Sequence, residues 1–162
     1  MIQVEQTLRL LTQHQVEFVI VGGVAISAHG SAYLTFDLDV CYARSRSNLQ
    51  RLTAALAAYH PRPRDFPADL PFHWDERTLQ QGTNFTLSTD LGSIDLLGEV
   101  TGLGDYEQVR AASVVMPLFG MDCQVLSLDG LITAKRAAGR TKDLLVLPEL
   151  EALLELTREP ND

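Results

Sequence analysis

The run Phe18-Val19-Ile20-Val21-Gly22-Gly23, followed after a short apolar segment by Asp37-Leu38-Asp39, constrains this chain more than any other feature. Four consecutive apolar residues read as a strand buried on both faces. The diglycine ends that strand and lets backbone approach a ligand without side-chain interference. Val24–His29 has helical composition and stops at Gly30, a natural C-terminal cap. Residues 36–42 then alternate, with the two aspartates on one side and Leu38 and Val40 on the other, as in a half-buried strand. Carboxylates at i and i+2 of a strand share a face, so Asp37 and Asp39 can reach one divalent metal centre.

A third carboxylate completes the set. Asp95 lies in Gly92-Ser93-Ile94-Asp95-Leu96-Leu97, and its apolar neighbours argue against a free surface position. Neighbouring strands lie about 4.8 Å apart, so an adjacent strand brings Asp95 within reach of the other two. Three carboxylates, magnesium or manganese, and a glycine bend are the parts needed for metal-assisted phosphoryl or nucleotidyl transfer. The competing view treats Asp-x-Asp as a solvated strand face, Gly-Gly as a turn and Asp95 as a satisfied structural group. The order in which the features occur favours the first view.

Around this centre the pattern predicts an amphipathic helix over 3–14, from Val4, Leu8 and Leu11. Ser47 and Gln50 suggest a capping box opening a helix that runs to about His60. Four prolines and Trp74 mark 61–82 as a long loop placed to cover the site, with Trp74 pinning it. A β-hairpin is expected from Phe85 to Leu97, further strands at about 113–119 and 122–126 hinged at Gly120, and helices over Leu128–Ala138 and Pro148–Leu156. With strands in the middle and helices at both ends, the fold class is α+β, a mixed sheet flanked by helices. We expect a single domain over 1–162, its core at about 15–126 and its C-terminal helices at about 128–156.

Composition narrows the setting. Hydrophobic residues make up 46% of the chain, as in an ordinary globular protein. No run spans a bilayer and no leader precedes an apolar stretch, so no membrane role and a cytoplasmic location are expected. Cys41 and Cys123, far apart, read as buried reduced thiols. A net charge of −8 argues against broad charge-driven binding to nucleic acid, though Lys135, Arg136, Arg140 and Lys142 are close enough to form one basic groove.

The pattern Gly22-Gly23-x-Ala25, His29-Gly30, Thr35-x-Asp37-x-Asp39 resembles the DNA polymerase β-like nucleotidyltransferase superfamily. Within it, the chain looks most like small bacterial AbiEii-type toxin nucleotidyltransferases and their uncharacterised relatives. Residues 92–97 resemble that group's third-carboxylate strand, and Lys135, Arg140-x-Lys142-Asp143-Leu144 its C-terminal helical motif. The resemblance implies Gly22, Gly23 and Ser27 around an NTP triphosphate, and Asp37, Asp39 and Asp95 on Mg2+ or Mn2+. Lys135 and Lys142 would contact phosphates. It also implies transfer of an NMP to a hydroxyl on an RNA 3′ end, a protein or a small molecule, and a possible cognate antitoxin. Relatives often carry arginine in the segment where this chain has Tyr33, which leaves open a degenerate module that binds a nucleotide or partner without turnover. Ser27 has an equal claim to bonding its own backbone, and His29 is explained by the helix dipole.

Overall fold

The computed structural model describes residues 1–158. Helix α1 (Val4–Gln13) leads into strand β1 (Phe18–Val21), helix α2 (Gly22–Ala28), strand β2 (Asp37–Tyr42) and helix α3 (Arg46–Leu56). A two-residue strand β3 (Arg62–Pro63) and helix α4 (Glu76–Gln81) precede the hairpin β4 (Asn84–Thr89) and β5 (Gly92–Leu97). A small ribbon follows, β6 (Glu99–Val100) and β7 (Gly104–Asp105), then helix α5 (Tyr106–Ala111). The hairpin β8 (Ser113–Leu118) and β9 (Met121–Leu126) and the helices α6 (Leu128–Ala138) and α7 (Thr141–Arg158) complete the chain.

Seven strands form one mixed sheet in the order β3-β4-β5-β2-β1-β9-β8. β1 runs antiparallel to β2, whereas β2 and β5 are parallel, as are β1 and β9. The expected mixed sheet flanked by helices is therefore the observed architecture. Leu38, Val40, Ile94 and Leu96 are fully buried. By strand alternation they face away from the aspartates, so one face of β2 and β5 belongs to the core and the other to the acids.

Three local expectations need correction. The diglycine is not a bend between strand and helix: it forms the first turn of α2, with Gly22 at φ +65. The cap of α3 is Ser45, whose side chain accepts from the Asn48 N–H, so the helix begins before Ser47. Pro148 does not open the last helix but sits inside it. A proline there removes one helical hydrogen bond and costs about 3 kcal/mol; burial of Val146 and Leu150 on either side offsets that loss.

The segment 61–82 is only partly loop. Its first residues pair with β4, Arg62 opposite Ser88 and Pro63 opposite Leu87. Its last residues form α4, capped by Asp75. Trp74 does pin the loop, donating its indole N–H to the Thr53 carbonyl at 3.0 Å. α5 was not anticipated, although Asp105 and Gln108 form a reciprocal capping box that the sequence displays. At the β4–β5 turn, Gly92 (φ +118) packs against the chain's start, where a Cβ would lie 2.7 Å from Ile2 Cα. The neighbouring Leu91 carbonyl accepts from the Gln3 N–H at 2.9 Å.

Candidate functional site

The parallel register of β2 and β5 places Asp39 directly opposite Asp95 and Asp37 opposite Ser93. Since side chains two apart share a face, all three carboxylates rise from one patch of the sheet. On the other side of β2, Asp39 is opposite Val21, the residue before the diglycine. Gly22 then passes so close that a Cβ there would collide with Asp39 Oδ2. Its left-handed backbone and its bare Cα both serve this close approach.

Asp39 is the strained member of the set. Its Oδ1 is buried and has no hydrogen-bond partner. Burial, then the charges of Asp95 and Asp37, push its carboxyl up to about 7, while Lys135 pulls it back down. A half-buried carboxylate that faces two others and keeps one oxygen buried without a partner is an unusual arrangement in a folded protein.

The cation that does reach the patch is Arg64, a residue absent from the sequence-based site. The Arg64 N–H donates to the Thr86 carbonyl at 2.8 Å, extending the β3–β4 pairing by one residue. Thr86 is opposite Asp95 on β5. Arg64, Thr86, Asp95 and Asp39 thus form a single row across the sheet. The Arg64 guanidinium reaches over β4, donates to Asp95 Oδ1 and lies 3.9 Å from Asp37 Oδ1. The signal was present as Arg62-Pro63-Arg64, two arginines in strand alternation, but the prolines around it read as loop.

The other expected residues divide. Lys135 and Arg140 line a cavity of about 190 Å³ together with Asp39, with Val100, Leu126 and Leu131 as apolar wall. That is below the roughly 300–1,000 Å³ of a typical small-molecule pocket. Lys142 is exposed and does not line this cavity. Gly23 is buried beneath the segment 31–36, where a Cβ would press on Thr35 and Tyr33. Ser27 donates its hydroxyl to the Tyr33 carbonyl at 2.8 Å, and His29 Nε2 lies 2.8 Å from the Leu126 carbonyl. Both therefore have structural partners.

The anticipated basic groove is largely neutralised. Lys135 and Arg140 both bind the buried Asp143, and Arg136 pairs with Glu151 at 2.5 Å. Cys41 and Cys123 are free and buried, with burial pushing the Cys41 thiol up to about 12. Among the described residues, no helix is long and apolar enough to cross a membrane.

Solved structures share this architecture. A Thermotoga maritima protein provisionally assigned as a nucleotidyltransferase superposes with a TM-score of 0.51 at 16% identity, covering 99% of this chain and 97% of that one. The enzyme ANT(2″)-Ia, solved in complex with adenylyl-2″-tobramycin, gives 0.58 at 13% identity, covering 96% and 94%. The chain has the fold of nucleotidyltransferases. No family model matches the sequence, and no curated protein is detectably similar to it.

The residues fit a divalent ion in donor chemistry. Three carboxylates offer only oxygen, the donor that magnesium and manganese prefer, and Asp39 Oδ1 lacks any other partner. With Arg64 against Asp95, however, no group of three acidic, histidine or cysteine side chains among the described residues is arranged to hold an ion as placed.

Proposed function

We propose that the protein is a metal-dependent nucleotidyltransferase moving an NMP from an NTP to a hydroxyl acceptor. The observation that carries this reading is Asp39 opposite Asp95 on parallel strands, with Asp37 on the same face and Asp39 Oδ1 buried without a partner. The shared fold supports it. Asp37, Asp39 and Asp95 would hold magnesium or manganese, which when bound supplies positive charge to the triphosphate and to the acceptor oxygen.

Asp95 then has a second task. As the acceptor hydroxyl attacks the α-phosphorus, Asp95 accepts its proton, the bond to the β-phosphate breaks and pyrophosphate leaves. Asp39 and Asp37 orient the reacting groups from the neighbouring strand. Gly22 keeps the approach to Asp39 free of side chains, and Gly23 and Ser27 follow beside it. Lys135 at the cavity wall contacts phosphate, and Lys142 contributes only from outside.

The acceptor classes to test are RNA 3′ ends, proteins and small hydroxylated molecules. ANT(2″)-Ia was captured with an adenylylated aminoglycoside, so polyhydroxylated small molecules come first. The net charge of −8 ranks RNA below them. An AbiEii-like toxin role with a cognate antitoxin rests on the sequence resemblance, and a cytoplasmic location on the composition.

A second reading, a nucleotide- or partner-binding module without turnover, is favoured by one observation: Arg64 already engages Asp95 and Asp37. One experiment separates the two. The protein is incubated with each α-labelled NTP, magnesium, and separately aminoglycosides, total RNA and lysate protein. Label transfer that disappears in Asp37→Ala supports the enzyme. Tight NTP binding with no transfer to any acceptor supports the module.

A further inference from the structure

We infer that Arg64 is an internal counter-ion that competes with the metal for the carboxylates, so that the protein binds a lone divalent ion more weakly than its three aspartates would allow. This rests on the proposed metal-dependent reading of the site. The oxygens Arg64 engages, Asp95 Oδ1 and Asp37 Oδ1, belong to the same set that an ion must use. Guanidinium and metal therefore compete for those atoms, through their lone pairs and through the repulsion between two cations.

The position is built rather than incidental. The Arg64 backbone is fixed to Thr86, its side chain also donates to the Leu87 carbonyl at 3.3 Å, and it is only 25% exposed. The chain turns away at the next residue, Asp65, whose φ is +65. That turn leaves Arg64 as the last residue of the strand edge, aimed along the row that ends at Asp39.

Charge explains why the guanidinium yields. Arg64 carries one positive charge against three carboxylates, and Asp39 Oδ1 remains without a partner while it is there. A divalent ion brings twice the charge and no fixed fork geometry. Displacement frees Arg64 toward the open side of β4, where Thr86 and Ser88 are exposed.

The test is Mn2+ binding to the nucleotide-free full chain by calorimetry, comparing wild type with Arg64→Met and Arg64→Lys. Arg64→Met should bind Mn2+ about tenfold tighter or better, the loss of a charge-assisted bond that metal no longer has to break. Arg64→Lys keeps the charge without the fork and should fall between; it decides the matter if Arg64→Met does not fold. Equal or weaker Mn2+ binding by the variants overturns the role of Arg64 and leaves the proposed activity standing. No Mn2+ binding by wild type or by either variant also overturns the role of Arg64, while the activity is decided separately by the label-transfer experiment, in which the metal can arrive with the NTP.

Discussion

A buried acid and a half-buried one face the same cavity and are treated in opposite ways. Asp143 is 0% exposed and saturated: it accepts from Lys135 Nζ at 3.1 Å, from Arg140 Nε at 2.6 Å and Nη2 at 3.2 Å, and from the Arg140 backbone at 3.2 Å. Burial would push its carboxyl up, yet the hydrogen bonds from Arg140 and Lys135 hold it below the ordinary carboxylate value. Asp39 has an orphaned oxygen, two acidic neighbours and a carboxyl pushed up to about 7. A carboxylate whose lone pairs are all taken is a structural clasp. One left short of positive charge is where a ligand has energy to gain.

The largest effect should come from removing the under-compensated centre. Asp39→Ala, Asp37→Ala or Asp95→Asn is expected to lower nucleotidyl transfer by about a hundredfold to a thousandfold, the scale of losing metal-assisted charge stabilisation. Label transfer measures this, and chemical denaturation should show the folded state intact. Retained transfer in all three variants would erase the distinction between the two acids.

Asp143→Asn should do the reverse. Stripping the negative charge leaves Lys135 and the largely exposed Arg140 beside a neutral amide, and stability should fall by about 1–3 kcal/mol in urea unfolding. Asp39→Asn should leave the metal-free protein as stable as wild type or more so.

The two acids also respond oppositely to pH. Asp39 has its folded value raised, so between about pH 4 and pH 7 the native state binds more protons than the unfolded state. Metal-free stability should therefore fall as pH rises through that window, by up to about 1.4 kcal/mol per pH unit. Asp143, with its value lowered, contributes stability that is present above the unfolded carboxylate range and lost in acid. Unfolding between pH 5 and pH 8 should show the slope in wild type and not in Asp39→Asn, and saturating Mn2+ should flatten it.

Gly22→Ala is the next smaller test. Its left-handed backbone disfavours any Cβ by about 1–2 kcal/mol, and the added methyl meets Asp39 Oδ2. Thermal denaturation should show the loss, together with weaker Mn2+ binding as Asp39 shifts. Lys142→Ala comes last: its side chain is exposed and off the cavity, so stability should change by under about 0.5 kcal/mol. NTP affinity, measured by titration, should weaken by less than that after a change at Lys135.

Residues whose role is set by local pattern were legible in the sequence. Phe18–Val21, the alternation around Asp37 and Asp39, and the Phe85–Leu97 hairpin all follow from short-range periodicity, and the three carboxylates do share one face. What escaped depends on pairing between distant segments. Arg64 enters the site only because β3 is a strand, and that strand exists only by pairing with β4. Likewise Lys135 and Arg140 read as a basic cluster until the fold shows Asp143 shared between them, cancelling one of the two charges. Pro148 signals a helix start in isolation, whereas α7 is long enough and buried enough to run through it.

The contact between the β4–β5 turn and the first residues of the chain has a consequence for handling the protein. Gly92 seats against Ile2, and Gln3 secures Leu91, four positions before Asp95. Strand phase decides which face an acid occupies, so this fastening guards the alignment of the acidic patch from a segment far from it along the polypeptide. Met1, just ahead of Ile2, is 87% exposed, so a purification handle attached there has room, whereas removing Ile2 and Gln3 would undo the fastening.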